Sequence, residues 1–165
     1  MYLLDTNIFI ESHKYLPTDV FPSFWNVLGD LANKGKICSI DKVKNEIVLG
    51  GDDDPVVIFC KGLPKNFFTP FDPRAMVDYQ KSMQWAQTCG RYNQKGIAAY
   101  SDSTRADAFL VATASYYKYT LVTYEKPDKP TPNPSGNIKI PDAAAELGVH
   151  CCSVSDVFRD LGIVI

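Results

Sequence analysis

Short apolar segments recur along the chain, and each ends at a polar residue or a turn. The first, Tyr2–Leu4, is followed directly by Asp5, and similar segments lie at 37–40, 120–123 and 149–152. Apolar runs of this length are typical of strands that are buried on both faces, as in parallel sheets. We therefore predict strands at 2–5, 37–40, 120–123 and 149–152, with a further strand at 138–140.

The segments between these strands show the spacing of amphipathic helices. Phe24, Trp25, Leu28 and Leu31 form one apolar stripe at intervals of three and four residues. Asp41 is expected to cap a helix, Asp54 and Asp72 each precede a proline, and Ser153 with Asp156 has the spacing of a capping box. The predicted helices run over 7–14, from Pro22 to Gly35, from Asp41 to Gly50, and over 56–62, 73–92, 94–100, 104–117, 141–148 and 153–162.

The order of strands and helices predicts the fold class. Strands separated by helices form parallel sheets with helices on both faces. The length of 165 residues suits one domain with a sizeable core. We therefore expect a single α/β domain over 1–165.

Composition excludes several function classes. The chain has 19 acidic and 17 basic residues, so a strong general affinity for nucleic acid is not expected. The five cysteines form no C-x-x-C pair, and the two histidines lack ligand spacing, which argues against a disulfide framework and a zinc site. No apolar run approaches the roughly 20 residues of a membrane span, and no basic region followed by an apolar stretch opens the chain. We expect a cytoplasmic protein.

Four acids stand out by their positions. Asp5 and Glu125 follow predicted strands, whereas Glu46 and Asp107 lie on predicted helices beside apolar residues. Simpler interpretations exist for each: Asp5 could cap a helix, Asp107 could favour a helix dipole, Glu46 could be half exposed, and Glu125 could be a turn residue. Asp102 and Asp142 are weaker candidates, which capping or placement at a helix N-terminus explains equally well.

A cluster of these four acids at one sheet edge would suit a divalent cation. Parallel α/β sheets build ligand sites at the carboxyl ends of their strands. Clustered carboxylates repel one another unless they are protonated or neutralised by a cation. Carboxylate oxygens without His or Cys suit Mg²⁺ or Mn²⁺, and these ions serve phosphoryl chemistry.

The same residues resemble a known family. The motifs Leu-Leu-Asp-Thr-Asn-Ile-Phe-Ile at 3–10, Glu46 after Ser-Ile-Asp-Lys-Val, Ala-Asp-Ala-Phe-Leu-Val-Ala-Thr-Ala at 106–114 and Leu-Val-Thr at 121–123 resemble those of PIN domains. Many members of that family are VapC-like toxins of toxin–antitoxin pairs. Within it, the chain resembles a branch with Val-Thr-x-Glu-Lys-Pro after the late strand.

The resemblance implies a three-layer α/β/α sandwich and hydrolysis of RNA with Mg²⁺ or Mn²⁺. It places Asp5, Glu46 and Asp107 at the family's metal-binding and catalytic acid positions. The fourth position, usually Asp, holds Glu125, so the number of ions stays open. Thr6 and Asn7 match polar residues that orient the first Asp, and Arg105 and Lys126 are candidates for phosphate contact. The implied partners are RNA, an antitoxin protein and a second copy of the chain, with no membrane.

Two alternative functions remain open. A metal-dependent phosphatase would use Asp5 as a covalent nucleophile, but such enzymes usually carry a second Asp where Asn7 stands. A catalytically silent binding module would keep the fold for protein partners. The presence of all four acids favours the nuclease over this module.

Overall fold

The computed structural model describes residues 1–129 and 131–165, and five short parallel strands form its centre. The strands are β1 (Tyr2–Leu4), β2 (Ile37–Ile40), β3 (Phe68–Thr69), β4 (Thr120–Val122) and β5 (Cys151–Cys152). Their order in the sheet is β3-β2-β1-β4-β5. The first strand is therefore central, and its two neighbours in space are β2 and β4.

Nine helices of the described residues surround this sheet. They are α1 (Thr6–Tyr15), α2 (Pro22–Asn33), α3 (Asp41–Val48), α4 (Pro55–Lys61), α5 (Met76–Thr88), α6 (Gln94–Tyr100), α7 (Asp107–Tyr117), α8 (Ile140–Glu146) and α9 (Val154–Asp160), with a 3-10 turn at Pro73–Ala75. Helices α1, α3 and α4 contact one another, and α5, α7 and α8 contact one another. The expected α/β class with helices flanking a short parallel sheet is confirmed.

The core forms where the sheet meets the helices. Leu3, Leu4, Leu121 and Val122 of the two central strands are at most 1% exposed. Every residue from 108 to 115 of α7 is buried, so this helix is enclosed along most of its length. A helix enclosed in this way must be apolar on all sides, which explains why its sequence lacks an amphipathic stripe.

Several local predictions differ from the structure. The predicted strand at 138–140 is wrong, because Ile140 is the first residue of α8, and strand β3 was not predicted. Asp41 lies inside the first turn of α3 and makes no capping hydrogen bond, since Ile40 occupies the N-cap. The predicted caps at Asp54, Asp72 and Ser153 are confirmed by side-chain hydrogen bonds to backbone N–H groups.

The end of the proline-rich stretch 127–136, at Ser135 and Gly136, packs against α6 and the segment before it. Pro130 lies outside the described residues. Ser135 exchanges backbone hydrogen bonds with Arg91 and Asn93, at 2.8 and 2.9 Å. A Cβ atom at Gly96 would lie 3.0 Å from the backbone of Gly136, so a side chain there would force the two segments apart by a few tenths of an ångström.

No helix in the described part of the chain has the length and apolar character needed to cross a membrane. The five cysteines are free thiols.

Candidate active site

Strand register brings Asp5 and Thr123 side by side at the carboxyl edge of the sheet. Leu4 of β1 pairs with Val122 of β4, so the residues that follow them, Asp5 and Thr123, are also neighbours. The Asp5 N–H donates to the Val122 carbonyl at 3.0 Å, and the Thr123 hydroxyl donates to Asp5 Oδ2 at 2.9 Å. Asp5 is 3% exposed and occupies the N-cap position of α1, but its side chain makes no capping hydrogen bond. Its carboxylate therefore points along the edge of the sheet.

Thr123 is the centre of the hydrogen-bond network around Asp5. Besides donating to Asp5, its hydroxyl oxygen accepts from Asn7 Nδ2 at 3.0 Å and from the Glu125 N–H at 3.1 Å. Asn7 Oδ1 in turn accepts from the Tyr124 N–H at 3.1 Å. Sequence reasoning gave Thr123 no role, although it follows β4 as Asp5 follows β1. This parallel position is the signal that could have identified it.

Glu46 joins the beginnings of α1 and α7. It lies on α3 beside the buried residue Ile47, which turns it toward the interior. One carboxylate oxygen accepts from the Thr6 hydroxyl, and the other accepts from the Ala106 N–H at 2.8 Å. Each carboxylate oxygen of Glu46 thus accepts one hydrogen bond, and the residue is half buried, which agrees with its simpler interpretation as a half-exposed helix acid.

Asp107 and Glu125 are each paired with a basic residue. Asp107 opens α7 and accepts from Arg105 Nη2 at 3.0 Å. Glu125 accepts from Lys139 Nζ at 3.3 Å and from the Ile140 N–H at 2.8 Å, which joins it to the beginning of α8. Lys139 was missed from the sequence, because it lies 14 residues after Glu125 in a segment predicted to be a strand.

The pKa values of Asp5 and Asp107 are raised by burial and by the charges of neighbouring acids. Desolvation by burial raises the pKa of Asp5 from 3.8 to about 7; the Thr123 hydrogen bond opposes this shift, and the charges of Asp107 and Glu125 add to it. Burial likewise raises the pKa of Asp107 to about 6, with Arg105 lowering it and Glu125 and Glu46 raising it. Burial is therefore the main reason why both aspartates hold their protons more tightly, and neighbouring acids add to it.

The donor set fits a hard divalent cation, but its side chains are not gathered around one point. Within residues 1–129 and 131–165, no three His, Cys, Asp or Glu side chains are arranged to hold an ion. Both oxygens of Glu46 and both oxygens of Glu125 accept hydrogen bonds within the protein. Carboxylates suit Mg²⁺ and Mn²⁺, and a cation would compensate both the burial of Asp5 and Asp107 and the charges of the acids beside them.

Of the three remaining candidates, Lys126 lies beside the acids, whereas Asp102 and Asp142 make local contacts. Lys126 is exposed next to Glu125. Asp102 is an exposed turn residue that accepts from the Thr104 N–H at 2.8 Å. Asp142 accepts from Arg91 and from the Asp128 N–H, so it holds a loop in place. Asp102 and Asp142 therefore have the local roles that were their simpler interpretations.

Comparison with known proteins places the chain in a family. Residues 2–165 match the family described as Domain of unknown function (DUF4411). The chain belongs to this family. A comparison with curated proteins found no match.

Two solved structures are similar to this member of the family over nearly its whole length. A structure of FitAB bound to IR36 DNA fragment has a TM-score of 0.55 and 16% identity, covering 93% of this chain and 94% of that chain. A crystal structure of FitAcB from Neisseria gonorrhoeae has a TM-score of 0.53 and 17% identity, covering 92% and 96%. This likeness confirms the expected PIN-like fold, whereas the VapC-like branch stays a prediction.

Proposed function

We propose that the chain is a metal-dependent endoribonuclease and the toxin of a toxin–antitoxin pair. The observation that supports the proposal is that Glu46 and Thr123 tie together, through hydrogen bonds, the segments that carry Asp5, Asp107 and Glu125 at the carboxyl edge of a parallel sheet. Each of the two aspartates has a pKa raised by burial and by its acidic neighbours. Such mutual repulsion is relieved by a bound divalent cation.

Asp5 and Asp107 are the side chains that would hold Mg²⁺ or Mn²⁺ directly. Glu46 keeps the first residues of α1 and α7 together, so it sets the separation between these two aspartates. Glu125 would join the ligand set only after leaving Lys139 and the Ile140 N–H. When bound, a divalent cation orients the scissile phosphate, lowers the pKa of a water molecule and stabilises the leaving oxygen.

Thr123 and Asn7 hold Asp5 in place. The Thr123 hydroxyl donates to the Asp5 carboxylate, and Asn7 fixes the direction of that hydroxyl by donating to its oxygen. This arrangement leaves Asp5 one orientation, which lowers the entropic cost of binding a cation. Thr6 acts similarly on Glu46.

Three basic residues beside the acids are suited to phosphate. Arg105 and Lys139 pair with Asp107 and Glu125, and their side chains are 44% and 32% exposed. A cation that neutralised the acids would allow these two residues to exchange a carboxylate partner for a phosphate oxygen. Lys126 is exposed beside Glu125 and could contact the next phosphate of the RNA strand.

The toxin assignment draws support from the structural neighbours. FitAB and FitAcB share the fold, and PIN-domain neighbours are generally nucleases. We expect an antitoxin protein to bind this chain, and a second copy of the chain to form a homodimer. The placement in the cytoplasm and the specificity for RNA belong to the same proposal.

One observation favours a catalytically silent binding module as the second candidate. Each carboxylate oxygen of Glu46 and Glu125 already accepts a hydrogen bond from the protein, as in structural carboxylates. A silent module should gain no stability from Mn²⁺, whereas a native-state metal site should gain it by mass action. The phosphatase alternative has no such support, because Asn7 is occupied by Thr123 and the Tyr124 N–H.

The test combines cleavage with thermal unfolding. We expect the wild-type protein to cleave a mixed single-stranded RNA pool with Mn²⁺ and to unfold at a higher temperature when Mn²⁺ is present. Asp5→Asn should lose both effects, because it removes a ligand charge while keeping a hydrogen-bond acceptor for Thr123. Asp30→Asn, at an exposed position of α2, is the matched control and should behave as wild type. Cleavage by folded Asp5→Asn at the wild-type rate would refute the assignment.

A further inference from the structure

A recess opens beside the acid cluster, between the ends of β4 and β5. Its volume is about 360 Å³, within the range of small-ligand pockets. Thr123 and Glu125 belong to both its wall and the acid cluster, so the recess begins where the cluster ends. The rest of the wall is mainly apolar and includes Pro127, Pro141 and Cys151.

Tyr124 forms part of this wall and is held at two points. Its hydroxyl and the Ser12 hydroxyl are 2.9 Å apart and hydrogen-bonded, and its N–H donates to Asn7 Oδ1 at 3.1 Å. Ser12 is only 2% exposed, whereas Tyr124 is 36% exposed. A buried hydroxyl therefore fixes the position of an aromatic ring that faces solvent next to the acids.

The two acidic groups of the recess already have partners. Glu125 is bound by Lys139 and the Ile140 N–H, and Asp156 belongs to the capping box of Ser153. These acids therefore do not require a second cation in the recess. What remains available is an apolar surface with one oriented aromatic ring, and this is a surface suited to a flat, uncharged aromatic group.

We propose that this recess binds the nucleobase adjacent to the scissile phosphate of single-stranded RNA, with the base stacked on Tyr124. The inference rests on the proposed nuclease function and names its substrate as unpaired RNA. A paired base cannot enter the recess, because its faces are covered by its neighbours in the helix. The exposed Lys126 follows Tyr124 by two residues and lies where the backbone of the bound strand would pass.

The first experiment measures binding without cleavage. A fluorescein-labelled RNA hexamer is titrated with protein in EDTA, and anisotropy is recorded for wild type, Tyr124→Leu, Tyr124→Phe and Tyr117→Leu. Tyr117 is the matched control, since it is 38% exposed and also hydrogen-bonded through its hydroxyl, to Asp72. We expect Tyr124→Leu to bind about tenfold more weakly. Tyr124→Phe, which keeps the ring, and Tyr117→Leu should bind within about twofold of wild type.

A second measurement needs no substitution. Bound hexamer should slow alkylation of Cys151 and Cys152, which line the recess, but not of Cys38 or Cys89, which lie elsewhere. Mass spectrometry reads the rate at each cysteine. The same hexamer annealed to its complement should give no protection. Equal protection of all four cysteines, or protection by the duplex, would overturn the proposal even if Tyr124→Leu failed to fold.

The two proposals fail in different ways. If no metal supports cleavage but Tyr124→Leu still weakens hexamer binding, the nuclease assignment is wrong and the base-binding recess stands. If wild type and Tyr124→Leu cleave and bind equally well, the nuclease stands and the recess proposal is refuted.

Discussion

The buried carboxylate of Asp5 should make the stability of the metal-free protein depend on pH in an unusual direction. Its pKa is about 7 in the folded protein, against 3.8 for the unperturbed group. Between these two values, the folded chain retains a proton that the unfolded chain releases. The stability that the Asp5 carboxyl contributes to the folded protein is therefore fully present below about pH 4. This contribution is lost as the pH rises toward 7.

The size of the effect follows from the size of the shift. A difference of about three pH units corresponds to about 4 kcal/mol, because each unit is worth about 1.36 kcal/mol. Asp107 has a pKa of about 6, so the protein loses further stability over an overlapping range of pH. The two groups repel each other, so their contributions are not independent. Only about two of these three units lie above pH 5, so we expect Asp5 alone to account for about 2–3 kcal/mol of the difference between about pH 5 and pH 8.

Urea unfolding in EDTA at about pH 5 and about pH 8 measures this difference. Wild type and Asp30→Asn should both be less stable at the higher pH. Asp5→Asn should flatten the dependence, since asparagine does not titrate and can still accept from Thr123. If the wild-type free energy of unfolding is unchanged or higher at pH 8, or if Asp5→Asn keeps the wild-type dependence, the reasoning about burial and repulsion is wrong.

Three further predictions concern the contacts that hold the site. Thr123→Val removes the hydroxyl shared by Asp5, Asn7 and Glu125, so urea unfolding should show a loss of about 1–3 kcal/mol, whereas Thr123→Ser should lose less. Glu125→Gln keeps an acceptor for the Ile140 N–H but loses the charge facing Lys139. The free energy of unfolding should therefore change by under about 1 kcal/mol. In a titration of cleavage, the variant should require more Mn²⁺ than wild type for half-activity. An unchanged titration would remove Glu125 from the site. Gly96→Ala should lower the unfolding temperature, because a Cβ atom would lie 3.0 Å from the Gly136 backbone, and an unaltered temperature would contradict this packing.

Several helices and strands were predicted correctly because their signals lie within a few neighbouring residues. The stripe of Phe24, Trp25, Leu28 and Leu31 is buried in α2 as its spacing predicts. The capping box at Ser153 and Asp156 forms because both partners lie within one turn. Apolar segments ending in a polar residue mark β1 and β4 correctly. These features depend on residues at most a few positions apart.

Other elements have no local cause. Strand β3 has two residues, and it exists because Phe68 and Thr69 pair with Ser39 and Ile40 of β2. Residues 138–140 alternate like a strand, yet Ile140 begins a helix whose first N–H is bound by Glu125 from 15 positions earlier. Asp41 has the residue type of a cap, but the chain places it one position inside the helix. For β3 and Ile140, a partner distant in sequence outweighed the local preference.

In the candidate site, too, some features follow from the local sequence and others only from the tertiary structure. The sequence alone determined the fold class and which acids end strands or begin helices, because hydrophobic period and capping chemistry are local properties. Only the tertiary structure decided that Thr123 would orient Asp5 across 118 residues and that Lys139 would face Glu125. It also decided how deeply Asp5 is buried, and so how far its pKa is raised. Burial and charge repulsion depend on distances between side chains, and strand register sets those distances only once the sheet has formed.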